Sequence, residues 1–292
     1  MEEIYGIVPP MVTPFTADEK VDEAALQTDV NYLIETAGIH GLAVCGSTGE
    51  GHTLTTDETR QITAVAIDAT DGRVPVITGI ITDSTKLAIE RGKAVADLGV
   101  TALQVTPVHY LFRPDDGSTL KHFDQITNQT GLPVMIYNVI PWNYLSPPLL
   151  AKIITEVDGV VGVKQSAEDM KLLADLLLIL GQQGRIMSAV DALMYPSFIL
   201  GAHGAIAAIL TAVPKTSVEL WEAVQIGNHE KALQLHQSLL PVWNAIADDN
   251  LPANVKYVME LQGRSAGHPR SPMPASTTKQ KQKIRQAVGS LT

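Results

Sequence analysis

The sequence lacks the features on which several protein classes depend. Among its 292 residues there is one cysteine, Cys45, so no disulfide can form within the chain. No apolar stretch is long enough to span a bilayer. The first residues have neither the basic region nor the apolar core of a signal peptide. These absences favour a reducing compartment, and we predict a cytoplasmic protein in which Cys45 is a small buried apolar residue.

The charge balance and the histidine pattern exclude further classes. The chain has 31 acidic and 21 basic residues, a net charge of -10, so a polyanion such as nucleic acid is not an expected partner. The eight histidines show no metal-ligand spacing. Residues 9–14, which begin in the first apolar run and extend past its end, do not resemble a glycine-rich dinucleotide fingerprint. We therefore predict no metal and no cofactor.

Short apolar runs alternate with longer segments of helical periodicity along most of the chain. Each run is bounded by glycine, proline or aspartate, as buried strands are. The runs are residues 6–12, 41–45, 74–80, 102–106, 134–137, 160–164, 185–189 and 205–208. Alternation of apolar strands with helices is typical of a parallel sheet covered by helices. Eight such units predict a (β/α)8 TIM barrel, and a doubly wound open sheet is the alternative.

Polar residues mark the starts of four predicted helices. Asp22 and Asp83 each precede a helical pattern as N-cap candidates. Thr55 has Glu58 three residues later, which is the spacing of a capping box. Ser146 precedes a proline suited to the first helical turn. These caps support the strand–helix alternation.

The last part of the chain contains helical patterns and no further strands. Helices are predicted over residues 216–226, 229–246, 253–261 and 279–288. The first of these completes the barrel, and the others form a C-terminal helical region. We therefore predict a catalytic barrel over residues 1–227 and a helical extension over residues 228–292. Because no low-complexity linker separates them, the extension is expected to pack on the barrel.

Lys164 is the most informative single residue, because it ends an apolar run that otherwise predicts a buried strand. An ammonium group in such surroundings must be desolvated or paired. In a barrel, the ends of the strands carry the functional groups. A neutral amine at that position can attack a carbonyl and form a Schiff base. The alternative interpretation is a lysine at a strand end that simply reaches the solvent.

Other strand ends carry groups that would complement such an amine. The second strand is followed by Gly46-Ser47-Thr48-Gly49-Glu50-Gly51, and the fifth ends in Tyr137-Asn138. The hydroxyls of Ser47 and Thr48, with backbone N–H groups exposed by the glycines, can bind a small carboxylate. Tyr137 can relay protons. Taken alone, the loop could be an ordinary tight turn and Tyr137 a core tyrosine.

Several motifs in the same order make the chain resemble a known family, the dihydrodipicolinate synthase and N-acetylneuraminate lyase family of Schiff-base-forming class I aldolases. The motifs are Gly46-Ser47-Thr48-Gly49-Glu50, Leu54-Thr55-x-x-Glu58, Thr106-Pro107, Tyr137-Asn138-Val139, Gly162-Val163-Lys164, Ser188-Ala189-Val190-Asp191-Ala192-Leu193 and Gly201-Ala202-His203-Gly204-Ala205-Ile206. The resemblance covers nearly the whole chain. It implies a (β/α)8 barrel with a C-terminal helical region and a 2-oxo acid substrate, often pyruvate.

The resemblance also implies roles for individual residues. Lys164 would form the imine with the substrate, and Tyr137 would transfer protons. Ser47 and Thr48 would bind the substrate carboxylate, with Thr48 also in the proton relay. Ile206 would line the pocket beside the imine. Members of the family are commonly homotetramers built as dimers of dimers, and we expect the same here.

The chain departs from the pattern of the dihydrodipicolinate synthases in its specificity residues. Trp142 occupies the position of an arginine that holds the carboxylate of the second substrate. His109 or Tyr110 replaces a tyrosine that reaches the neighbouring subunit, in a longer loop that also contains Arg113. Ala189 stands where those synthases tend to have glycine. An indole cannot replace the two-pronged guanidinium. We therefore expect imine chemistry with a different second substrate.

These features predict a class I lyase that cleaves or forms a carbon–carbon bond next to a 2-oxo acid such as pyruvate. A dehydratase or deaminase of a hydroxylated 2-oxo acid or cyclic imine acid would use the same imine. Dihydrodipicolinate synthase itself is a further alternative. A barrel that binds a metabolite without catalysis is the alternative from another class, although binding alone requires neither Lys164 nor Tyr137.

Overall fold

A computed structural model describes residues 4–167 and 169–291 of the chain. Residues 1–3, on which part of the signal-peptide prediction rests, lie outside these ranges. Eight strands are parallel to their neighbours in one sheet of order β1-β8-β7-β6-β5-β4-β3-β2. They are β1 (Gly6–Ile7), β2 (Leu42–Val44), β3 (Val76–Ile80), β4 (Ala102–Val105), β5 (Val134–Asn138), β6 (Val160–Gln165), β7 (Arg185–Ser188) and β8 (Gly204–Ala205).

The ring closes between β2 and the segment that follows β1. The backbone N–H of Met11 donates to the carbonyl of Ala43 over 2.8 Å, and the N–H of Ala43 donates to the carbonyl of Pro9 over 3.1 Å. Two prolines interrupt the first predicted strand and lack the N–H that a ladder requires, so residues 6–12 form a short strand and one bridge. The sheet is therefore the closed (β/α)8 barrel that the sequence predicts, not an open doubly wound sheet.

Helices alternate with the strands and continue after β8. They are α1 (Glu23–Asn31), α2 (Thr56–Thr70), α3 (Thr85–Val95), α4 (Asp116–Thr130), α5 (Pro147–Glu156), α6 (Met170–Leu180), α7 (Met194–Ile199), α8 (Ala208–Ala212), α9 (Pro214–Gln225), α10 (His229–Ile246), α11 (Leu251–Leu261) and α12 (Thr278–Val288). A π-helical turn spans Tyr32–Thr36, and 3-10 turns span Gly51–Thr53, Ala96–Leu98, Pro141–Asn143 and Asp191–Leu193. None of the helices among the described residues is long and apolar enough to cross a membrane.

Three of the four predicted helix caps are confirmed. Asp22 and Ser146 accept hydrogen bonds from the third residue beyond them, and Thr55 forms a full capping box with its partner glutamate. The prediction for Asp83 is wrong, because Ser84 caps α3. The carboxylate of Asp83 instead accepts hydrogen bonds from the N–H groups of His109 and Tyr110. This aspartate therefore links the loop after β3 to the loop after β4.

The hydrophobic core has two parts, one inside the ring of strands and one between the strands and the surrounding helices. Apolar side chains inside the barrel form one small cluster, which includes Met135 and Ile206. Larger clusters fill the space between the strands and the surrounding helices. One of them also contains Leu239 of α10, Val255 of α11 and Ile284 of α12, so the C-terminal helices pack on the barrel. The division at residue 227 stays a prediction, since a shared cluster crosses it.

Candidate active site

Strands β5 and β6 place Tyr137 and Lys164 side by side inside the mouth of the barrel. The two residues are register partners in the parallel ladder. Successive side chains of a strand point to opposite faces, which turns both residues inward. The Nζ atom of Lys164 lies 3.9 Å from the centroid of the Tyr137 ring, and both side chains are buried. The ring of Tyr137 therefore covers one side of the Lys164 side chain, which also lines the cavity at the barrel mouth.

The loop after β2 is a tight turn that brings Ser47 and Thr48 to the same mouth. The N–H groups of Gly49 and Gly51 both donate to the carbonyl of Gly46, over 3.0 and 2.9 Å. A Cβ atom at Gly51 would lie 1.9 Å from a backbone oxygen, so only glycine fits there. Ser47 is exposed, whereas Thr48 is buried. The glycines thus permit the close backbone turn that the sequence suggested.

A hydrogen bond joins this loop to the tyrosine. The hydroxyl of Tyr137 donates to the Oγ atom of Ser47 over 3.0 Å. Together with the Tyr137–Lys164 contact, this bond connects the loop after β2 to the end of β6. An amine, a phenol and a small hydroxyl therefore lie in sequence along one wall of the barrel mouth.

A cavity of about 620 Å³ opens above Lys164. It is lined by Ser47, Thr48, His52, Tyr137, Val139, Tyr144, Lys164, Ser166, Ala189, Val190, Asp191, Ala192, Leu193, Ile206, Ala207, Ala208, Trp243, Asp249, Leu251, Pro252 and Met273. Five predicted site residues are among them: Lys164, Tyr137, Ser47, Thr48 and Ile206. A cavity of this size accommodates a small metabolite.

The three remaining predicted binding residues lie outside this cavity. Trp142 is 69% exposed, and its Nε1–H donates to the carbonyl of His109 over 3.2 Å. The ring of His109 turns toward Asp83, with 3.3 Å between Nδ1 and Oδ1. Tyr110 is 66% exposed, and Arg113 is exposed with a hydrogen bond to a backbone carbonyl. Hydrogen bonds among the loops after β3, β4 and β5 hold these side chains away from Lys164. Within one chain, the side chains therefore do not line the cavity.

Asp191 is a cavity residue to which the sequence analysis gave no role. It begins the 3-10 turn after β7, and its Oδ1 accepts a hydrogen bond of 2.7 Å from the N–H of Ile209. Loss of solvation raises the pKa of its carboxyl to about 6, although this hydrogen bond and the charge of Lys164 act in the opposite direction. Its position after a barrel strand was the available signal, since functional groups gather there.

Two further groups of cavity residues were missed for different reasons. Ser166 lies two positions after Lys164 and faces the cavity; its buried Oγ has no hydrogen-bond partner among the described residues. The period of a strand could have identified it. Asp249 and Met273 come from the C-terminal region, and only the packing of that region brings them to the barrel mouth. Asp249 and Asp191 both contribute carboxylates to the cavity wall, and no arginine is among the described residues that line it.

The structure offers little support for chemistry based on the cysteine or on a metal ion. Burial raises the pKa of the Cys45 thiol to about 12, which disfavours the reactive thiolate. Cys45 is buried, as its sequence context predicted. Within residues 4–167 and 169–291, no three His, Cys, Asp or Glu side chains are grouped so that they could hold a metal ion. Lys164 remains the principal nucleophile candidate of the cavity.

Comparison with known families agrees with this geometry. A model of the dihydrodipicolinate synthetase family matches residues 3–291. A 4-hydroxy-tetrahydrodipicolinate synthase of Methanopyrus kandleri is 32% identical over 292 residues, which cover 99% of this chain and 97% of that protein. The match therefore includes the barrel and the C-terminal helices.

Solved structures match the chain over the same extent. YagE, a prophage protein of the dihydrodipicolinic acid synthase family from E. coli K12, was solved in complex with pyruvate. It superposes with a TM-score of 0.94 at 27% identity and covers 99% of this chain and 98% of its own. A monomeric dihydrodipicolinate synthase variant superposes with a TM-score of 0.93 at 26% identity and covers 98% and 96%. The same fold thus occurs in a pyruvate-binding protein and in a monomer.

Proposed function

Since the chain belongs to the dihydrodipicolinate synthetase family of Schiff-base-forming lyases, we propose that it binds a 2-oxo acid such as pyruvate as an imine on Lys164. The observation that carries the proposal is the contact of Lys164 with Tyr137, which in turn donates to Ser47, inside a single cavity. An amine, a proton carrier and a carboxylate-binding loop are the three parts that imine formation on a 2-oxo acid requires.

The proposed reaction begins with attack of the Lys164 amine on the C2 carbonyl of the substrate. The carbinolamine loses water and becomes an iminium ion, whose positive charge withdraws electrons from C3. C3 then loses a proton and forms an enamine, which bonds to the carbonyl carbon of an aldehyde. Water hydrolyses the resulting iminium, releases the product and restores the amine. The reverse sequence cleaves the carbon–carbon bond.

Each neighbouring side chain has a role in this proposal. Ser47 and Thr48 bind the substrate carboxylate through their hydroxyls and the N–H groups of the loop. Tyr137 moves protons to and from the carbinolamine oxygen, since its hydroxyl is hydrogen-bonded and lies beside the amine. Ile206 is fully buried in the barrel core and forms an apolar surface beside C3.

The charge of the cavity wall supports a second substrate whose distal end is not anionic. Asp191 and Asp249 line the cavity, and a second carboxylate would be repelled by them. Trp142 stands where an arginine would bind that carboxylate, and it points away from the cavity. Neutral hydroxylated aldehydes fit this wall better, because carboxylates accept hydrogen bonds from hydroxyl groups.

Dehydration of a hydroxylated 2-oxo acid is the second candidate reaction. The observation in its favour is the position of Asp191, which lines the same cavity as Lys164. Loss of solvation raises the pKa of its carboxyl to about 6. A carboxyl with such a pKa is partly protonated near neutral pH and can protonate a departing hydroxyl. The imine on Lys164 would serve this elimination as it serves aldol chemistry.

The quaternary structure and the compartment belong to the same proposal. We propose a homotetramer built from tight dimers, supported by the apolar side chains of Leu111 and Phe112 that one chain leaves exposed. A cytoplasmic location is supported by the free, buried Cys45.

Reductive trapping tests the proposed imine. Pyruvate and sodium borohydride are expected to label the chain once, with peptide mapping placing the adduct on Lys164. Lys164→Met should abolish labelling, whereas Lys152→Met, on the surface of α5, should leave it unchanged. Labelling at another lysine, or none with any of a panel of 2-oxo acids, would refute the proposal.

A further inference from the structure

A fully buried ion pair lies directly behind the loop that carries Ser47 and Thr48. Glu50 ends this loop and has no exposed surface, and Lys256 of α11 is 2% exposed. The Nζ atom of Lys256 donates to Oε1 of Glu50 over 2.7 Å. The other carboxylate oxygen accepts a hydrogen bond of 2.8 Å from the N–H of Arg270. The C-terminal region thus binds both oxygens of a residue in the loop.

The ammonium group of Lys256 has further contacts that hold it in place. It donates to the carbonyl of His268 over 2.6 Å and lies 5.0 Å from the centroid of the Phe15 ring. Burial lowers the pKa of Lys256, and the carboxylate of Glu50 opposes that shift. Removing two charges from water is costly, so such a pair is weak evidence for stability and better evidence for a defined geometry.

Hydrogen bonds connect Glu50, the acidic member of the pair, to the hydroxyl groups at the barrel mouth. The N–H of Glu50 donates to the carbonyl of Ser47 over 3.0 Å, and the side chain of Ser47 accepts the hydrogen bond from Tyr137. Glu50 also has a φ of 56°, in the left-handed region that non-glycine residues rarely adopt. Such a conformation is costly, and the contacts of the Glu50 carboxylate with the C-terminal region help to hold the residue in it.

We propose that Lys256 is a positioning residue for the 2-oxo acid site: through Glu50 it holds the loop of residues 46–50 so that Ser47 and Thr48 meet the substrate carboxylate. The inference rests on the proposed function of that loop. It makes the C-terminal helices part of the active site, although Lys256 does not line the cavity.

The chain contains a matched control for this pair. Arg264 and Asp29 form a second buried ion pair, with 2.8 Å between Nε and Oδ1. This pair also joins the C-terminal region to the barrel, but it reaches α1, and Arg264 additionally donates to the carbonyl of Thr211. Breaking either pair leaves a buried charge without its partner, so both should lower stability. Only the pair at Glu50 touches the loop.

The experiment compares Lys256→Met with Arg264→Met in three measurements. They are the melting temperature, the pyruvate concentration that gives half-maximal borohydride trapping, and hydrogen exchange of the amides at residues 49–51. Lys256→Met should raise the half-maximal concentration about tenfold or more, since small displacements of a binding group are expensive. It should also speed exchange of the loop amides. Arg264→Met should lower the melting temperature with little change in the other two readouts.

Other outcomes overturn the inference. Unchanged pyruvate dependence and loop exchange in Lys256→Met would do so, as would equal changes in Arg264→Met, which would indicate general destabilisation. If Lys256→Met does not fold, Glu50→Gln provides the second variant, with the same expected changes. Loop exchange does not depend on imine formation. If the wild-type chain is not trapped, the proposed function fails while the exchange measurement still decides whether Lys256 holds the loop.

Discussion

The hydroxyl of Tyr137 donates a hydrogen bond to the hydroxyl of Ser47, although the two residues are 90 positions apart in the sequence. This bond joins a strand end of the barrel to the loop proposed to bind the substrate carboxylate. Because Lys164 covers the ring of the same tyrosine, Tyr137 contacts both the amine proposed to form the imine and the loop proposed to bind the carboxylate. This geometry supports the proposed role of Tyr137 in proton transfer.

Tyr137→Phe is expected to lower kcat about 100-fold or more, because it removes the proton carrier and keeps the ring. Borohydride trapping should become slower without moving to another lysine. Steady-state and trapping kinetics measure both effects. Tyr195→Phe, which changes a tyrosine outside the cavity, is the control and should retain activity. A Tyr137→Phe enzyme with wild-type rates would exclude the proposed role.

The acidic cavity wall predicts discrimination against a second carboxylate. With pyruvate as donor, we expect neutral hydroxylated aldehydes to be used with a kcat/KM about tenfold or more above that of aspartate semialdehyde. Asp191→Asn should reduce this preference several-fold, roughly the effect of one charge near a protein surface. Competing condensation assays measure the ratio.

Asp57→Asn, which removes an exposed charge on α2, serves as the control for selectivity and should leave the ratio unchanged. Efficient condensation of aspartate semialdehyde by the wild-type enzyme would contradict the assignment. It would indicate the reaction named for the relative from Methanopyrus kandleri.

His122 predicts a loss of stability in mild acid. It is buried on α4, with Nδ1 2.9 Å from the hydroxyl of Thr85, and burial lowers its pKa to about 4. The unfolded chain has a histidine pKa near its ordinary value of 6.5. Between these values the unfolded state binds a proton that the folded state does not. The free energy of unfolding should therefore decrease as the pH falls, by about 3 kcal/mol from this residue.

His122→Gln removes the titrating group and should weaken that pH dependence by about 2–3 kcal/mol between about pH 7 and pH 4. Urea denaturation at the two pH values measures it. His52→Gln, at an exposed position, should keep the wild-type dependence. An identical decrease in wild type and His122→Gln would show that other groups cause the acid sensitivity.

The loop after β4 predicts association between chains. Leu111 is 87% exposed, and the next residue, Phe112, is also exposed. Trp142 is exposed in the loop after β5, which a hydrogen bond to the carbonyl of His109 joins to the loop after β4. Apolar surface of this kind is typical of interfaces. We expect sedimentation to show a tetramer, and Leu111→Asp to shift it to smaller species, whereas Leu261→Ser on α11 should not. A wild-type monomer at micromolar concentration would contradict the proposal. That outcome is possible for this fold, since a dihydrodipicolinate synthase variant with the same fold is monomeric.

Much of the lining of the candidate site was predictable because a barrel brings the ends of its strands together. The apolar runs and their caps predicted eight strand–helix units, and the residues at the strand ends predicted Lys164, Tyr137, Ser47 and Thr48 as neighbours. All four line one cavity. The errors in strand length have local causes. Two prolines follow β1, and α8 begins at Ala208, which the sequence had placed in the last strand.

The sequence by itself determined the period of the strands and the chemistry at their ends, because both depend on neighbouring residues. The tertiary structure decided where the loops point and what supports them. His109 turns away from the cavity because a carboxylate 26 positions earlier holds its backbone. Glu50 is anchored by Lys256, which is 206 positions away. Contacts of that kind depend on how distant segments pack, and no local pattern of residues encodes them.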